Sequence, residues 1–415
     1  MSRGFKIVAF VVWLLLFAWG VSGVFQRLSG GRELANYGSY VPWGLWVSSY
    51  IYFIGLSAGA FLLSSMINVF QVKSLKKLGR FSLFVAAITL MMALLSIWFD
   101  LGHMGRFYEV FTRPNFSSMM AWMVWLYTAY FILILVELWV EMRIDLAKRA
   151  SEGGPLAGIY RLLALGYKAP QGEELQVAEA KNVALMRKLG ILGIPLAIAF
   201  HGGVGALFAT LSARPYWHSS IYPILFLTGA LVSGGALMLA LVSATDLLPG
   251  HERRAPIMAL LAKIVLGLLA FDLILEFAEF TIPMWYGVGP ERDLLMEVLT
   301  GRYWYVFWVF HILLGSLIPI ILLLWKPAKE WAMGTAGGLI ALTFLAVRLN
   351  LVIPGQVTPQ LKGLESAYVD SRLRFEYVPS LFEWSVVAFI VTLAFALFFL
   401  GKKYLPLRVP DTEAV

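Results

Sequence analysis

Three carboxylates interrupt a long apolar run of the sequence. The stretch FDLILEFAEFTIPMW, residues 271–285, contains Asp272, Glu276 and Glu279. Their spacing places all three side chains on one side of a helix. Carboxylates partly buried beside water can exchange protons with a bound molecule, because desolvation and neighbouring groups tune their pKa values. The pattern predicts proton chemistry within the apolar part of the protein. The alternative is a set of buried ion pairs that only fixes helix register.

The elements that position these carboxylates are membrane-spanning helices. Hydrophobic residues make up 60% of the chain and charged residues 14%, and the mean hydropathy is +0.77, which is outside the range of soluble globular proteins. One crossing of a bilayer needs roughly 20 apolar residues. Such runs predict ten helices, at residues 6–25, 43–70, 81–99, 118–140, 189–211, 221–245, 257–282, 303–325, 331–353 and 381–400. We therefore predict an all-α, polytopic protein with a single integral membrane domain, residues 1–415.

The distribution of positive charge predicts the orientation of these helices. Lys and Arg are more frequent at both termini and in the segments 71–80, 141–188, 246–256 and 326–330 than in the opposite connections. By the positive-inside rule, both termini are cytoplasmic in a multi-pass protein of the cytoplasmic (inner) membrane. The net charge of +8 reflects this topology and does not indicate a nucleic-acid partner. Residues 141–188 are then a cytoplasmic loop insert with short helices.

On this topology Asp272 lies near the middle of its helix and Glu276 and Glu279 lie toward the outer face, and further ionisable groups share the outer half of the bundle with them. They are Asp100, His103, His201, His311, Arg348 and Glu383. A charge at membrane depth costs roughly 2.5 to 3.5 kcal/mol by insertion scales, so an unpaired one should be rare. Arg348 opposite one of the acids would offset part of that cost. The inner half contains Glu137 and Lys263, and whether protons are pumped through it stays open.

Aromatic residues occupy the same outer level. Trp43 and Trp46 begin the second span, and others flank the connection between spans seven and eight. An interfacial aromatic belt accounts for most of them. Flat apolar walls with converging proton-exchanging groups also suit a quinone ring. His201 and His311 are candidate haem ligands as well, but a dihaem cytochrome b would need four buried histidines.

The sequence contains no cysteine. Disulfides, cysteine-ligated iron–sulfur clusters and covalently attached c-type haem are therefore excluded from this chain. We predict no metal site in it, and any iron–sulfur centre must belong to a partner protein.

A weak internal repeat accompanies these features. FIGLSAGAFLLS at 53–64 resembles FLTGALVSGGALML at 226–239, and each opens a group of four helices. Spans two to five and six to nine would then be two four-helix bundles in parallel orientation, with one flanking helix at each end of the chain. The alternative is that small residues permit close helix contact in both places.

Several short motifs together resemble one protein family. They are VPWGLW at 41–46, DLGHMGRF and TRPNFSSMMAW within 100–122, HGGVGALFA and RPYWHSS within 201–220, RLNLVIPG at 348–355 and YVPSLFEW at 377–384. In this order they resemble the NrfD/PsrC family of polysulfide-reductase membrane subunits, in particular its ten-helix branch of HybB-like and DsrP-like proteins. Within that branch the DsrP-like proteins, which are linked to sulfur metabolism and anaerobic respiration, are the preferred match, and menaquinone-linked complexes of similar build are a close second.

The resemblance implies a haem-free subunit of a multi-subunit respiratory complex. Such a subunit binds menaquinol or menaquinone near the outer face and exchanges electrons with a periplasmic, ferredoxin-like iron–sulfur subunit. Proton exchange at the outer face would involve Asp100, His103, Asp272, Glu276 and Glu279 as catalytic groups. Quinone binding would involve Trp43, Trp46, His201, His311, Arg348 and Glu383. An ion- or proton-translocating transporter and a passive membrane anchor are the alternative functions.

Overall fold

The chain folds into long helices connected by short segments. The computed structural model describes residues 3–248, 251–286, 290–359, 361, 363–368, 370 and 372–408, and no strand occurs among them. Ten of the helices in this part of the chain are long and apolar enough to cross a membrane. The predicted all-α, multi-pass membrane architecture is therefore confirmed.

We number the ten membrane helices in chain order. They are α1 (Arg3–Gly30), α2 (Leu45–Val69), α3 (Gly79–Asp100), α4 (Met119–Ser151), α5 (Glu173–Ala209), α6 (Tyr222–Ala244), α7 (His251–Tyr286), α8 (Val306–Trp325), α9 (Glu330–Val352) and α10 (Leu381–Tyr404). Shorter helices lie in the connections, at Lys73–Leu78, Met104–Arg106, Glu109–Thr112, Ala157–Leu163, Pro290–Leu299, Pro354–Val357 and Leu364–Ala367.

The predicted loop insert at 141–188 is mostly helical. Helix α4 continues to Ser151, and α5 already begins at Glu173, so only 152–172 connect the two helices. Polar side chains hold the two extensions together: Arg143 Nε donates a hydrogen bond to Asn182 Oδ1 at 3.0 Å. The apolar run marks the part of a helix that suits lipid, but the hydrogen-bonded backbone continues past it into water.

Eight of the helices form two four-helix bundles. In the first bundle α2 packs on α3 and α5, and α4 packs on the same two helices. In the second, α6 packs on α7 and α9, and α8 packs on α9 and, at its inner end, on α7. The contact of α2 with α9 has its counterpart in the contact of α6 with α5. The two bundles therefore share one internal arrangement, as the repeated motif predicts.

The bundles meet where α2 crosses α6. A Cβ at Gly59 would lie 2.7 Å from the Cα of Gly234, and a Cβ at Gly234 would lie 2.5 Å from the Cα of Gly59. Neither position has room for a larger residue, because backbone atoms cannot move away as a flexible side chain can. Small residues in the two repeated motifs thus allow the backbones of α2 and α6 to touch.

Helices α1 and α10 form a flanking pair outside the bundles. They pack on each other, and α10 also contacts α3 and α2. Gly20 and Gly23 of α1 face α10, and a Cβ at Gly20 would lie 2.5 Å from the backbone nitrogen of Phe389. Most other side chains of α1 are exposed and apolar, as expected for a helix that faces lipid.

Candidate functional site

The first bundle encloses a large cavity in the half of the helices that holds the end of α3 and the start of α4. The charge distribution predicts that this half faces outward, and we call it the outer half. The volume of the cavity is about 790 Å³, and α2, α3, α4, α5 and the connection after α3 surround it. The lining is mainly aliphatic and aromatic, with Val47, Trp98, Met123 and Phe208 among its residues. Pockets for small molecules usually have volumes of about 300 to 1,000 Å³ and predominantly apolar walls. The cavity is therefore large enough for a ring system with part of an isoprenoid chain.

Polar groups gather at the outer end of this cavity. Asp100, His103, Arg32 and Arg106 line it there. Asp100 is 6% exposed and its Oδ1 has no hydrogen-bond partner among the described residues, whereas His103 is exposed. A buried acceptor without a partner beside an exposed imidazole gives this end of the cavity groups that can exchange protons.

Two arginines hold the segment that carries Asp100 and His103. Arg27 of α1 donates hydrogen bonds to the backbone oxygens of Phe99, at 2.8 Å, and Leu101, at 2.5 Å. Arg32 donates to the backbone oxygen of Asp100. The last carbonyls of a helix have no partners within the helix, and the negative end of the helix dipole favours cations there. The flanking helix α1 thus fixes the C-terminus of α3.

Tyr37 connects Asp100 to the rest of the outer face. Its ring packs under the Arg32 guanidinium, 5.1 Å away, and its hydroxyl accepts a hydrogen bond from the Trp46 backbone nitrogen at 3.3 Å. Burial, followed by the neighbouring Asp100, raises the pKa of Tyr37 well above its usual range. Tyr37 therefore keeps its proton and acts as a donor beside the carboxyl group.

Trp43 forms part of the cavity wall and is fixed from two sides. Its backbone nitrogen donates to Gln356 Oε1 at 3.0 Å, and Gln356 Nε2 donates to its backbone oxygen at 2.8 Å. Its ring stacks on Trp217, with 5.6 Å between centroids, and meets Phe208 edge-on. These contacts hold a flat aromatic surface against the cavity.

The cavity reaches the protein surface between α3 and α4. Met91 of α3 and Met120 of α4 both line it, and they are 37% and 53% exposed. Phe107 in the connection between these helices is 54% exposed and lines it as well. Met91 lies nine residues from the end of α3, or about 13 Å along the helix axis. The opening is therefore at the depth of lipid, where a membrane-soluble molecule can pass.

The three carboxylates of α7 lie in the second bundle. Asp272 accepts a hydrogen bond from Thr228 Oγ1 at 2.5 Å, and Glu276 Oε2 lies 3.1 Å from His311 Nε2. Glu279 accepts from Ser219 Oγ at 3.0 Å. These side chains line a cavity of about 60 Å³, which has room for a few water molecules and not for a ring.

Arg348 lies in the wall of this smaller cavity. It is 4% exposed, and its Nε and Nη2 donate no hydrogen bond in the part of the chain that the structure describes. Its guanidinium carbon is 4.8 Å from the ring centre of Phe226 and 5.0 Å from that of Phe344. Aromatic faces stabilise the cation, but its free donors call for an acceptor that only the carboxylates or water can supply.

His311 lies in an irregular part of α8. Residues Val306–Leu317 form a π-helix, and only Ile318–Trp325 follow α-helical geometry. Such wide turns are rare and are frequent at functional sites. His311, whose ring pairs with Glu276, thus lies inside this π-helical segment.

His201 lies within the first bundle's α5 but lines neither cavity. It is fully buried, and neither ring nitrogen makes a hydrogen bond of good geometry among the described residues. Arg348 lies close enough to interact with it electrostatically. The structure thus separates His201 from His311, which is paired with Glu276 in the second bundle.

Glu383 and Trp46 lie in a third place, at the outer end of α10. Glu383 accepts hydrogen bonds from the Tyr377 hydroxyl and from the backbone nitrogens of Asn36, at 2.9 Å, and Ser380, at 3.2 Å. With Ser380 it forms a capping box at the start of the helix. Trp46 Nε1 donates to the Glu383 backbone oxygen at 3.1 Å. Both residues tie the outer connections together and line neither cavity.

The predicted site residues therefore divide into separate groups. Trp43, Asp100 and His103 share the large cavity, whereas Asp272, Glu276, Glu279, His311 and Arg348 share the small one. The two cavities occupy corresponding places, since α2–α5 line the large one and α6–α9 line the small one. The rings of Phe208 and Phe226, 5.7 Å apart, lie between them.

Some residues of the two sites were not predicted. Arg27, Gln356 and Thr228 each supply a hydrogen bond described above, and Tyr127 lines the large cavity. Thr228 lies inside the repeated motif, and Gln356 directly follows RLNLVIPG, so both were within reach of motif reasoning. Arg27 gave no such signal, because its partners are distant in sequence.

Curated relatives align over most of the chain. One subunit of the selenate reductase of Mesobacillus selenatarsenatis is 40% identical over 392 residues, which cover 93% of this chain and 91% of that protein. The Hdr-like menaquinol oxidoreductase integral membrane subunit of Archaeoglobus fulgidus is 29% identical, with 89% and 86% covered. The menaquinone reductase integral membrane subunit of Nitratidesulfovibrio vulgaris is 22% identical, with 97% and 93% covered.

The family assignment agrees with the motifs and the fold. Residues 33–360 match the family described as polysulphide reductase, NrfD, and this range includes both bundles and every residue that lines the two cavities except Arg32. The flanking helices α1 and α10 lie outside it. This chain belongs to the NrfD family of polysulfide-reductase-type integral membrane proteins.

Proposed function

We propose that this chain is the quinone-reactive membrane subunit of a multi-subunit respiratory oxidoreductase. Its substrate is menaquinol or menaquinone, and its redox partner is a periplasmic, ferredoxin-like iron–sulfur subunit. Two aligned relatives are named as the integral membrane subunits of a menaquinol oxidoreductase and of a menaquinone reductase, which supports this substrate class. The observation that carries the proposal is the apolar cavity of about 790 Å³ with Asp100 and His103 at its outer end.

The cavity fits a quinone in both shape and chemistry. Its opening between α3 and α4 lies at lipid depth, so the isoprenoid chain can stay in the membrane while the ring reaches the interior. Trp43 and Phe208 offer flat apolar contacts, and the polar outer end offers groups for the ring oxygens. Bound there, the quinone would supply two-electron, two-proton redox chemistry.

The residues of this chain then have separate roles. His103 and Asp100 hold and transfer protons at the ring oxygens nearest the outer water. Arg27 and Arg32 position that segment, and Trp43 orients the ring. Because the chain contains no cysteine, the electrons pass to or from iron–sulfur clusters of a partner docked at the outer face.

A second function is favoured by the cluster in the other bundle. Asp272, Glu276, His311 and Arg348 lie around a cavity with room only for water, so they do not bind a quinone ring. Ionisable groups gathered at membrane depth are typical of ion and proton pathways. We infer that this cluster exchanges protons with the outer water, either as a relay for quinone chemistry or as part of a translocation path.

Filling the large cavity tests the quinone proposal. Val204 lines it and is 3% exposed, so V204F places a ring in the space that the substrate needs. We expect the purified complex of this variant to lose extractable menaquinone and to lose quinone-linked electron transfer. I198F on the same helix is the matched control, because Ile198 is 44% exposed and faces away from the cavity.

The outcomes separate the three functions. Menaquinone retained at wild-type level in V204F, with normal turnover, would contradict the assignment of this cavity. A wild-type complex that carries no quinone and moves an ion without redox chemistry would favour the transporter. An assembled complex with neither activity in this subunit would leave it a passive anchor.

A further inference from the structure

Glu137 is a buried carboxyl group without a partner. It is 0% exposed, and both of its side-chain oxygens make no hydrogen bond among the described residues. It lies in α4, about 27 Å along the helix from Met119, toward the inner end of the membrane-spanning part. A register-fixing ion pair would require an opposite charge beside it, and no salt bridge to Glu137 occurs among the described residues. Buried ionisable groups in membrane helices are by default functional candidates.

Glu137 belongs to a polar stripe along one face of α4. The stripe contains Tyr127, Tyr130, Glu137 and Glu141. Their separations of three, seven and four residues return to the same side of a helix. The stripe therefore runs along the interior of the first bundle, from the outer half to the inner surface.

The outer end of the stripe reaches the large cavity. Tyr127 lines that cavity, and so does Tyr50 on the opposite helix. Tyr130, fully buried one turn farther in, donates a hydrogen bond from its hydroxyl to the backbone oxygen of Ser57 at 3.3 Å. Tyr130 and Glu137 lie close enough to interact electrostatically.

The inner end of the stripe reaches the aqueous phase. Glu141, one turn beyond Glu137, lies 3.4 Å from the Arg80 guanidinium, and its side chain is 20% exposed. Asp145, one turn farther, also pairs with Arg80, and its side chain is 23% exposed. A proton can therefore reach Glu141 from water, and Glu137 is the next ionisable group inward.

The gap between Glu137 and Tyr130 corresponds to about 10 Å of helix rise. Helix α2 places Ser64 and Ser65 at the depth of Glu137, since they lie about 30 Å from Leu45 along its axis. Both are fully buried, and Ser65 Oγ has no partner among the described residues. Unpaired hydroxyl and carboxyl oxygens at one level are the partners that a buried water molecule needs.

We propose that Glu137 is the proton carrier of an inner route that joins the cytoplasmic face to the large cavity. This inference rests on the proposed quinone function and adds to it the exchange of protons with the cytoplasmic water. Reduction of a quinone consumes two electrons from the iron–sulfur partner and two protons; oxidation of the quinol returns them. Protons that pass through Glu137 cross the membrane dielectric, whereas electrons arrive at the outer face. Turnover therefore separates charge across the membrane.

The inner route must be closed when no quinone reacts. An inner and an outer route open together would let protons cross without redox work. In this structure the Tyr130 hydroxyl points its proton at Ser57, and Glu137 makes no hydrogen bond. The stripe is thus interrupted between these two residues. Rotation of the Tyr130 hydroxyl toward a bridging water would connect Tyr130 to Glu137 and open the route.

The test uses the whole complex reconstituted in liposomes with a menaquinone analogue. We expect the wild-type complex to generate a membrane potential during turnover, read with a voltage-sensitive dye. E137Q should lower quinone turnover roughly a hundredfold, the lower range for loss of a proton-transfer group. E137D should restore part of it. E174Q is the matched control, because Glu174 is an exposed carboxylate at the inner start of α5.

Two results would overturn the inference. One is a wild-type complex that oxidises or reduces the quinone analogue at full rate without generating any membrane potential. This result is obtained without a variant. The other is an assembled E137Q complex with wild-type turnover and the same potential per quinone. A wild-type complex that does not react with quinones at all would instead contradict the proposed function itself.

Discussion

Removal of the Arg27 guanidinium tests how the outer end of the large cavity is held. Arg27 is 3% exposed and donates two hydrogen bonds to the last carbonyls of α3, at 2.8 and 2.5 Å. Hydrogen bonds from a charged donor contribute about 1.5 to 3 kcal/mol each. R27M keeps the length of the aliphatic part and removes both donors. We therefore expect a loss of about 3 kcal/mol in the stability of the segment 100–103, which carries Asp100 and His103.

This loss should appear in quinone binding. Asp100 and His103 follow the carbonyls that Arg27 holds, so a loosened segment must be reordered when the ring binds. Since each 1.4 kcal/mol is a factor of ten, a loss of about 3 kcal/mol should raise the Kd for a menaquinone analogue about a hundredfold. Quenching of tryptophan fluorescence measures it, because Trp43 and Trp98 line the cavity.

Another arginine of the same helix provides the control. R3M removes an exposed arginine from the first turn of α1 and should leave the Kd unchanged. If R27M binds the analogue as tightly as the wild type and unfolds at the same temperature, then the two hydrogen bonds do not position the segment. Helix α1 would then have no part in positioning the site.

Three further predictions concern other parts of the chain. E276Q should lower the activity of the complex about as much as H311Q, and the double variant little more, because the two side chains act as one pair; additive losses would contradict the pairing. G234V should prevent stable folding, since its side chain would overlap the backbone at Gly59, whereas G267V, with open space around it, should fold. A hydrogen bond from Lys402 lowers the pKa of Asp246. This contact therefore stabilises the C-terminal segment above about pH 4, and the stabilisation is lost as the pH falls through the lowered pKa. The rate of proteolysis of that segment at falling pH measures the loss, with D246N as the reference.

The sequence predicted the number and order of the membrane helices because apolar run length is a local property. The helix ends were predicted less well: α4 continues past its apolar run to Ser151, and α5 begins before its apolar run, at Glu173. Charged residues end the lipid-compatible part of a helix, but they do not end its hydrogen-bonded backbone. Periodicity shows where a helix can enter water and does not show where it stops.

The sequence predicts the depth of each site residue in the membrane, but it does not predict which side chains meet. Position along a span gives the level of a side chain, through the helical rise per residue. It placed Asp100, Asp272 and Arg348 in the outer half of the bundle. Which of them meet depends on how α2 to α9 pack, and this packing puts Asp100 in one bundle and the other two in the next. Glu383 shows the same limit, since its partners come from the connections at Asn36 and Tyr377.

The internal repeat places the two clusters at corresponding positions of two similar bundles. Equivalent outer halves of two similar bundles hold an open apolar cavity in one case and a group of acids with Arg348 and His311 in the other. A lipid-soluble ring needs room and apolar walls, whereas protons need close ionisable groups and water. In this chain the large apolar cavity lies in one bundle and the cluster of acids lies in the other. The repeated bundle thus lets a single chain provide both at the same depth, with the Phe208 and Phe226 rings between them.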